Sequence, residues 1–233
     1  MRPGDLARAA ARALLELVYP PRCAACGEPT EAEPFCEVCA GAVDPLPPGC
    51  ARCGLPGPDP LCGACRAAPP AFDAVLAAGL FGGPLADAIH AFKYENRPAL
   101  SRPLGAWLAG RAAFSADALV VSIPLARTRR IERGYDQAAL LADALARAAG
   151  ARGRRMRGAL RRTRETPPQV GRSREERARN VAGAFEATAA VAGRDVVLVD
   201  DVVTTGATAD AAASALRKAG ARSVVVVALA RAE

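Results

Sequence analysis

Eight cysteines fall within residues 23–65 as four Cys-x-x-Cys pairs: Cys23 with Cys26, Cys36 with Cys39, Cys50 with Cys53, and Cys62 with Cys65. Two thiolates at that spacing on a tight turn reach one Zn²⁺ at about 2.3 Å, and two such pairs complete a tetrahedral shell. Two zinc sites are therefore expected. Sequential pairing gives two successive ribbons, and the spacing leaves an interleaved arrangement open. Gly27 and Gly54 follow the first and third pairs, where backbone amides turn toward sulfur. A shell of four thiolates has no open coordination position, which assigns both sites to folding and partner contact rather than catalysis. A disulfide framework belongs to secreted chains, and Arg8, Arg12 and Glu16 interrupt any apolar run that could serve as a signal sequence. A redox role is weaker still, since redox Cys-x-x-Cys motifs occur singly near a strand-to-helix junction.

The second group with chemical potential is DVVLVDDVVTTGATAD, residues 195–210. A buried strand delivers two acids, Asp200 and Asp201, and Val202 and Val203 lead into Thr204, Thr205, Gly206, Ala207 and Thr208, where a helix begins. A turn of small residues ahead of a helix presents free N–H groups and hydroxyls, and the helix dipole adds positive potential, so a phosphate is favoured there. The two carboxylates match the vicinal hydroxyls of a ribose, with Mg²⁺ in the same neighbourhood. The plain alternative is a strand, turn and helix with a threonine cap, but the full pattern is far more restrictive than a bare Thr-Thr-Gly.

Other chemistries are disfavoured. His90 is the single histidine, which argues against a Ser/His/Asp or Cys/His nucleophile and against a metal site built on two imidazoles. His90 reads as a packed or partly exposed helix residue and Trp107 as core. The formal charge is +7, and only Lys93 and Lys218 among the 31 basic residues are lysines. The charge is unevenly placed: sixteen arginines stand against six acids between Arg127 and Arg179. That stretch would attract phosphate, in a small ligand or in a nucleic acid backbone.

These groups must be positioned by an α/β fold. Apolar runs at 74–81, 118–123, part of 154–160, 195–200 and 223–229 read as strands, and residues 134–150 and 207–220 as helices ending at Gly150 and Gly220. Near-continuous valine in the last two strands predicts burial on both faces, as in a parallel sheet. Leu6, Ala10, Leu14 and Leu17 give residues 1–22 the spacing of an amphipathic helix stopped at Pro20. No stretch reaches the roughly 20 apolar residues of a membrane span. A cytoplasmic protein is expected, with peripheral membrane contact through the first helix left open.

The acid pair and Thr-Thr-Gly-x-Thr turn resemble the phosphoribosyl pyrophosphate (PRPP) loop of type I phosphoribosyltransferases. Four cysteine pairs, then IHAFKY (89–94), SIPLARTRRIERGYDQAALLA (122–142), RTRETPPQVGRSREERARNVAGAF (162–185) and that loop, in this order, resemble the ComF proteins of bacterial DNA uptake over nearly the whole chain. The resemblance implies a double zinc ribbon over residues 23–70 and a phosphoribosyltransferase-like domain over 71–233, a parallel sheet with flanking helices. It implies that Asp200 and Asp201 hold ribose hydroxyls and that Thr204, Thr205, Gly206, Ala207 and Thr208 grip the 5′-phosphate. Ser122 begins the expected pyrophosphate loop, with Arg130, Arg133 and Lys93 as further ligand-binding residues, and 162–179 as a closing loop. The chain departs from the family's usual Arg-Gly-Phe-Asn-Gln in having Tyr135 and Asp136, which puts a direct phosphate contact by residue 136 in doubt.

The implied role is binding of PRPP or a related ribose phosphate, with Mg²⁺, and handling of internalised single-stranded DNA. Two other readings are kept: an active phosphoribosyltransferase of unknown acceptor, and a PRPP-sensing scaffold whose zinc ribbons dock a partner such as a helicase. A glutamine-dependent amidotransferase, which needs an N-terminal catalytic cysteine, is set aside because the first cysteine is Cys23.

Overall fold

The valine-rich runs form the middle of a parallel sheet in the computed structural model, which describes residues 20–31, 34–150, 154–165 and 179–232. The strands are β1 (Ala74–Leu80), β2 (Leu119–Ser122), β3 (Leu160–Arg162), β4 (Phe185–Ala187), β5 (Asp195–Val203) and β6 (Ser223–Arg231). Four of them make one all-parallel sheet in the order β1-β6-β5-β2. The helices are α1 (Glu37–Gly41), α2 (Gly63–Ala67), α3 (Gly83–Tyr94), α4 (Ser101–Ala109), α5 (Arg127–Arg133), α6 (Gln137–Ala148) and α7 (Ala207–Lys218).

Alternation along β5 explains its unbroken apolar run. Val197 and Val199 face a core with Leu85, Phe92, Leu104, Leu141 and Leu145 from α3, α4 and α6. Val196 and Leu198 face the opposite core, with Leu160, Phe185 and Leu216 from β3, β4 and α7. Both faces are covered, so neither can be polar. Gly105 is where α4 and α6 cross most closely: a Cβ there would lie 2.5 Å from the Cβ of Ala144.

The cysteine segment seals the β1 edge of this sheet. Cys23, Ala24, Phe35 and Cys39 join the first core, and Phe35 packs edge-on against Trp107 with ring centroids 5.5 Å apart. Trp107 is thus half-buried between ribbon and helices, with Arg111 over its ring at 4.2 Å. Cys50, Cys53 and Cys65 join the second core with Phe72 and Val75. The Leu80 amide donates to the Asp44 carbonyl at 3.0 Å.

Several local expectations change. Of residues 154–160, expected in part as a strand, only Leu160 is in one, as the first residue of β3. Arg155 makes one isolated bridge to Val120, Gly158 turns the chain at φ +74°, and β3 then pairs antiparallel with β4 in a separate two-stranded sheet. The Arg155 side chain explains the break: its Nε donates to Asp143 Oδ1 at 2.7 Å, and its guanidinium reaches Ser122 Oγ at 3.2 Å. The helix expected over 134–150 is shorter: Gly134 ends α5 in the left-handed conformation, and α6 runs only from Gln137, after its cap Asp136, to Ala148. Strands β5 and β6 continue to Val203 and Arg231, beyond the expected ends, because their parallel pairing continues. Residues 1–19 of the expected amphipathic helix and 166–178 of the expected closing loop lie outside the described residues.

Candidate functional site

The C-terminal ends of the parallel strands open onto a cavity of about 490 Å³. Its lining includes Asp200, Asp201 and Val202 of β5, Thr204 and Thr208 around the start of α7, Lys93 of α3, and Ile123 to Ala126 after β2. Ligands in open α/β sheets bind at this end because the strands stop there and helix N-termini converge.

The Thr-Thr-Gly turn is built as its residues dictate. Gly206 has φ +79°, a left-handed conformation that costs a side-chain-bearing residue about 1–2 kcal/mol, and the Phe72 ring lies beneath it, 3.6 Å from where a Cβ would stand. No side chain caps α7 in the usual way. Thr205 Oγ1 accepts a long bond from the Ala207 amide at 3.4 Å. The first turn of this 12-residue helix thus keeps amides turned toward an incoming anion.

The acids differ in state. Lys93 Nζ stands 2.8 Å from Asp201 Oδ1, with both side chains largely buried. Asp200 accepts from the Asp201 amide at 2.9 Å. Burial first, and then the negative charge of Asp201, push its carboxyl up to about 7. One carboxylate is held as an ion pair and the other is poised near neutrality, an arrangement suited to receiving a ligand that brings hydroxyl donors.

The cationic wall is only partly the expected one. Arg133 lines the cavity, stacks over the Tyr94 ring at 4.8 Å, and donates to Tyr94 Oη and Gln137 Oε1 at 3.1 Å each. Arg130 is exposed and outside the lining, and Arg129, one turn of α5 before Arg133, takes the inward place. Arg162, at the end of β3, also lines the cavity and lies over the Phe185 ring at 5.2 Å. Ser122 is outside the lining and is held by Arg155, while Pro124 and Leu125 of the same loop face the cavity. Thr205, Gly206 and Ala207 shape the turn behind Thr204 and Thr208.

Much of the arginine excess is spent internally. Arg154 pairs with Asp117 at 2.9 Å, Arg155 and Arg157 both pair with Asp143, and Arg161 pairs with Glu186. The cationic side chains of the cavity lining are Arg129, Arg133 and Arg162, together with Lys93, which is held by Asp201.

The departures at 135 and 136 have structural roles. Asp136 caps α6, with Oδ1 accepting from the Ala139 amide at 2.9 Å, and its Oδ2 accepts from the Leu125 amide at 3.2 Å, tethering the loop after β2. An acid is suited to this place because both partners are N–H donors, one of them in the first turn of α6. The Tyr135 hydroxyl donates to the Phe92 carbonyl beside Lys93. Gln137, a lining residue only 1% exposed, has a buried Nε2 with no hydrogen-bond partner. With the acid pair and three arginines, that orphan donor gives the cavity a mixed donor and acceptor lining, which fits an anionic ligand that carries hydroxyl groups.

The cysteines gather sequentially. Cys23, Cys26, Cys36 and Cys39 form one quartet and Cys50, Cys53, Cys62 and Cys65 the other, with sulfurs within 4.8 Å of one another in each. A tetrahedron with arms of about 2.3 Å has edges of about 3.8 Å, and the sulfurs of Cys26 and Cys36, and of Cys53 and Cys62, are 3.8 Å apart. The Gly27 and Gly54 amides close the knuckles onto the Cys23 and Cys50 carbonyls at 3.1 and 2.8 Å. Burial raises the Cys50 thiol, but amide hydrogen bonds from Cys53, Cys62 and Arg52 outweigh it and bring it down to about 6. The residues fit two structural zinc ions.

Gln137, which lines the cavity, and the buried Arg231, whose guanidinium binds backbone carbonyls of both the second quartet and the turn after β5, were not singled out by the sequence, and Arg129 and Arg162 stood in it only as members of the basic stretch and of the expected closing loop.

Comparison with known proteins gives the same two parts. The phosphoribosyl transferase domain family matches residues 136–233 and the double zinc ribbon domain family residues 14–66. The chain is 32% identical over 206 residues to the DNA utilization protein YhgH of Salmonella typhimurium, covering 84% of this chain and 90% of that one. It is also 32% identical over 210 residues to Competence protein F of Haemophilus influenzae, covering 85% and 90%. Among solved structures, an allosteric regulatory enzyme of purine biosynthesis is 24% identical with a TM-score of 0.42, covering 60% of this chain and 30% of that one.

Proposed function

The chain belongs to the ComF family of competence and DNA-utilization proteins, a double zinc ribbon joined to a phosphoribosyltransferase domain, and from that premise we propose that it binds PRPP or a related ribose phosphate with Mg²⁺ and assists handling of internalised single-stranded DNA in the cytoplasm. The observation that carries the ligand reading is the meeting, on one cavity of about 490 Å³, of an acid pair, a helix N-terminus and an arginine wall. Asp200 and Asp201 accept from the vicinal hydroxyls of the ribose. The amides and hydroxyls from Thr204 to Thr208 take the 5′-phosphate. Arg129, Arg133 and Arg162 face the pyrophosphate, where guanidinium forks match paired oxygens.

Among the described residues no helix is long and apolar enough to cross a membrane. The DNA part of the proposal rests on the relatives' names and on the exposed arginines of α5, whose contact with a phosphate backbone would weaken steeply with salt.

The deciding experiment is calorimetric titration of zinc-loaded protein with PRPP and Mg²⁺ beside an Asp200→Asn, Asp201→Asn double variant. Saturable binding that the variant loses supports the reading. A folded wild type that binds nothing refutes it.

A further inference from the structure

Arg231 is the last residue of β6 and is 3% exposed. A buried guanidinium is tolerated only where its N–H groups are satisfied, and this one is satisfied by carbonyls from separate parts of the chain. Its Nε donates to the Cys53 carbonyl at 2.9 Å, inside the second cysteine quartet. One terminal nitrogen donates to the Val203 carbonyl at 3.2 Å and also contacts the carbonyls of Thr204 and Ala232. One rigid planar group therefore spans a zinc knuckle and the first residues of the phosphate turn.

Two further braces run in parallel. The Phe72 ring that underlies Gly206 belongs to a residue whose carbonyl accepts from Arg52 Nε, within the Cys50–Cys53 knuckle, at 3.2 Å. Asp210, in the first turn of α7, accepts from the Ala71 amide at 2.6 Å. The first quartet has a different footing, on Trp107 and the α4 face.

We propose that the second cysteine quartet is a positioning element of the phosphate turn, with Arg231 as the residue that transmits between them, so that metal in the quartet and phosphate in the turn bind cooperatively. The physical cause is charge as well as shape. Four thiolates on one Zn²⁺ leave a net negative centre, which holds the Arg231 cation at the Cys53 carbonyl. Without the metal the four sulfurs are no longer held in one shell, and the knuckle that presents the Cys53 carbonyl to Arg231 loosens. With Arg231 fixed, the Val203 and Thr204 carbonyls are pinned and the following amides keep their direction toward an anion. Linkage makes the effect reciprocal: whatever orders the turn must also retain the metal. This proposal rests on the ligand reading given above, and its test separates the two.

The test follows zinc transfer from the full-length chain to a chromophoric chelator, with Cys62→Ser identifying the phase that belongs to the second quartet. PRPP with Mg²⁺ is expected to slow that phase at least about five-fold in the wild type while leaving the first-quartet phase unchanged. Arg231→Met abolishes the slowing and speeds ligand-free release from the second quartet alone. Arg231→Lys, which keeps the cation, restores part of both effects. Calorimetrically verified PRPP binding with unchanged release overturns the proposal. If PRPP does not bind, the ligand reading fails, and the ligand-free comparison still decides the coupling: equal release from wild type and Arg231→Met sinks it. Should Arg231→Met not fold, hydrogen exchange in Cys62→Ser decides instead. Amides at 203–207 must exchange at least about five-fold faster than in the wild type, with those at 141–145 unchanged. Equal rates at 203–207 refute the coupling.

Discussion

Lys93 Nζ lies 2.8 Å from Asp201 Oδ1, joining the last turn of α3 to the end of β5. The ligand-free cavity therefore holds its negative charge asymmetrically, with Asp201 compensated and Asp200 pushed up to about 7 by burial and by its neighbour.

Affinity for PRPP with Mg²⁺ should fall as pH drops from 8 to 6, because a protonated Asp200 can no longer accept from two hydroxyls. Lys93→Met should move the midpoint upward, since the lysine charge holds the Asp200 carboxyl down. Calorimetry across that range, with Asp200→Asn subtracted to remove the ligand's own titration, checks both. A wild type and variant with parallel profiles would contradict the assignment.

The same carboxyl should cost stability. Its folded value is raised from 3.8 to about 7, so the cost is absent below the unfolded value, grows between the two and is complete above about 7. Asp200→Asn should accordingly raise the melting temperature of ligand-free protein at pH 8 and leave it unchanged at pH 4. A lower melting temperature at pH 8 would argue against a strained carboxylate.

Asp143 works in the opposite sense. Burial would raise its carboxyl, but Arg157 and Arg155 outweigh burial and hold it below the usual range. Its stabilisation is present above the unfolded value and is lost as pH falls through the depressed folded one. Asp143→Ala leaves Arg155, 9% exposed at the side chain, without its carboxylate. Denaturant unfolding at pH 7 should show a loss of about 3–5 kcal/mol.

Gly105→Ala tests the α4–α6 crossing. The added methyl would meet the Ala144 Cβ at 2.5 Å and the Leu145 amide nitrogen at 3.0 Å, so the helices must part, at about 1–3 kcal/mol. The urea midpoint should drop with the slope unchanged. An unshifted midpoint would show that the crossing has slack.

What the sequence made legible was local. Cysteine quartets, the strand leading to Asp200 and Asp201, and the turn to Thr208 are each contiguous, so residue type and spacing carry them. The rest depends on contacts between distant segments. That Arg129 and Arg162 face the cavity while Arg130 does not follows from how α5 and β3 sit against β5, and no spacing rule contains it. Arg155 reads as one more cation in a basic run until Asp143 is placed beside it. Arg231 and Cys53 are 178 positions apart. Asp136 looked like a lost phosphate contact and is instead a helix cap, because its neighbours are amides.

The sheet order β1-β6-β5-β2 also sets a timetable for biosynthesis. The strand that joins β1 to the β5-β2 pair is made last, so β1, with the ribbons already behind it, emerges from the ribosome with its partner still unsynthesised. Removing residues 223–231 would leave β1 and β5 each facing an empty lane, splitting the sheet down its middle rather than trimming its edge.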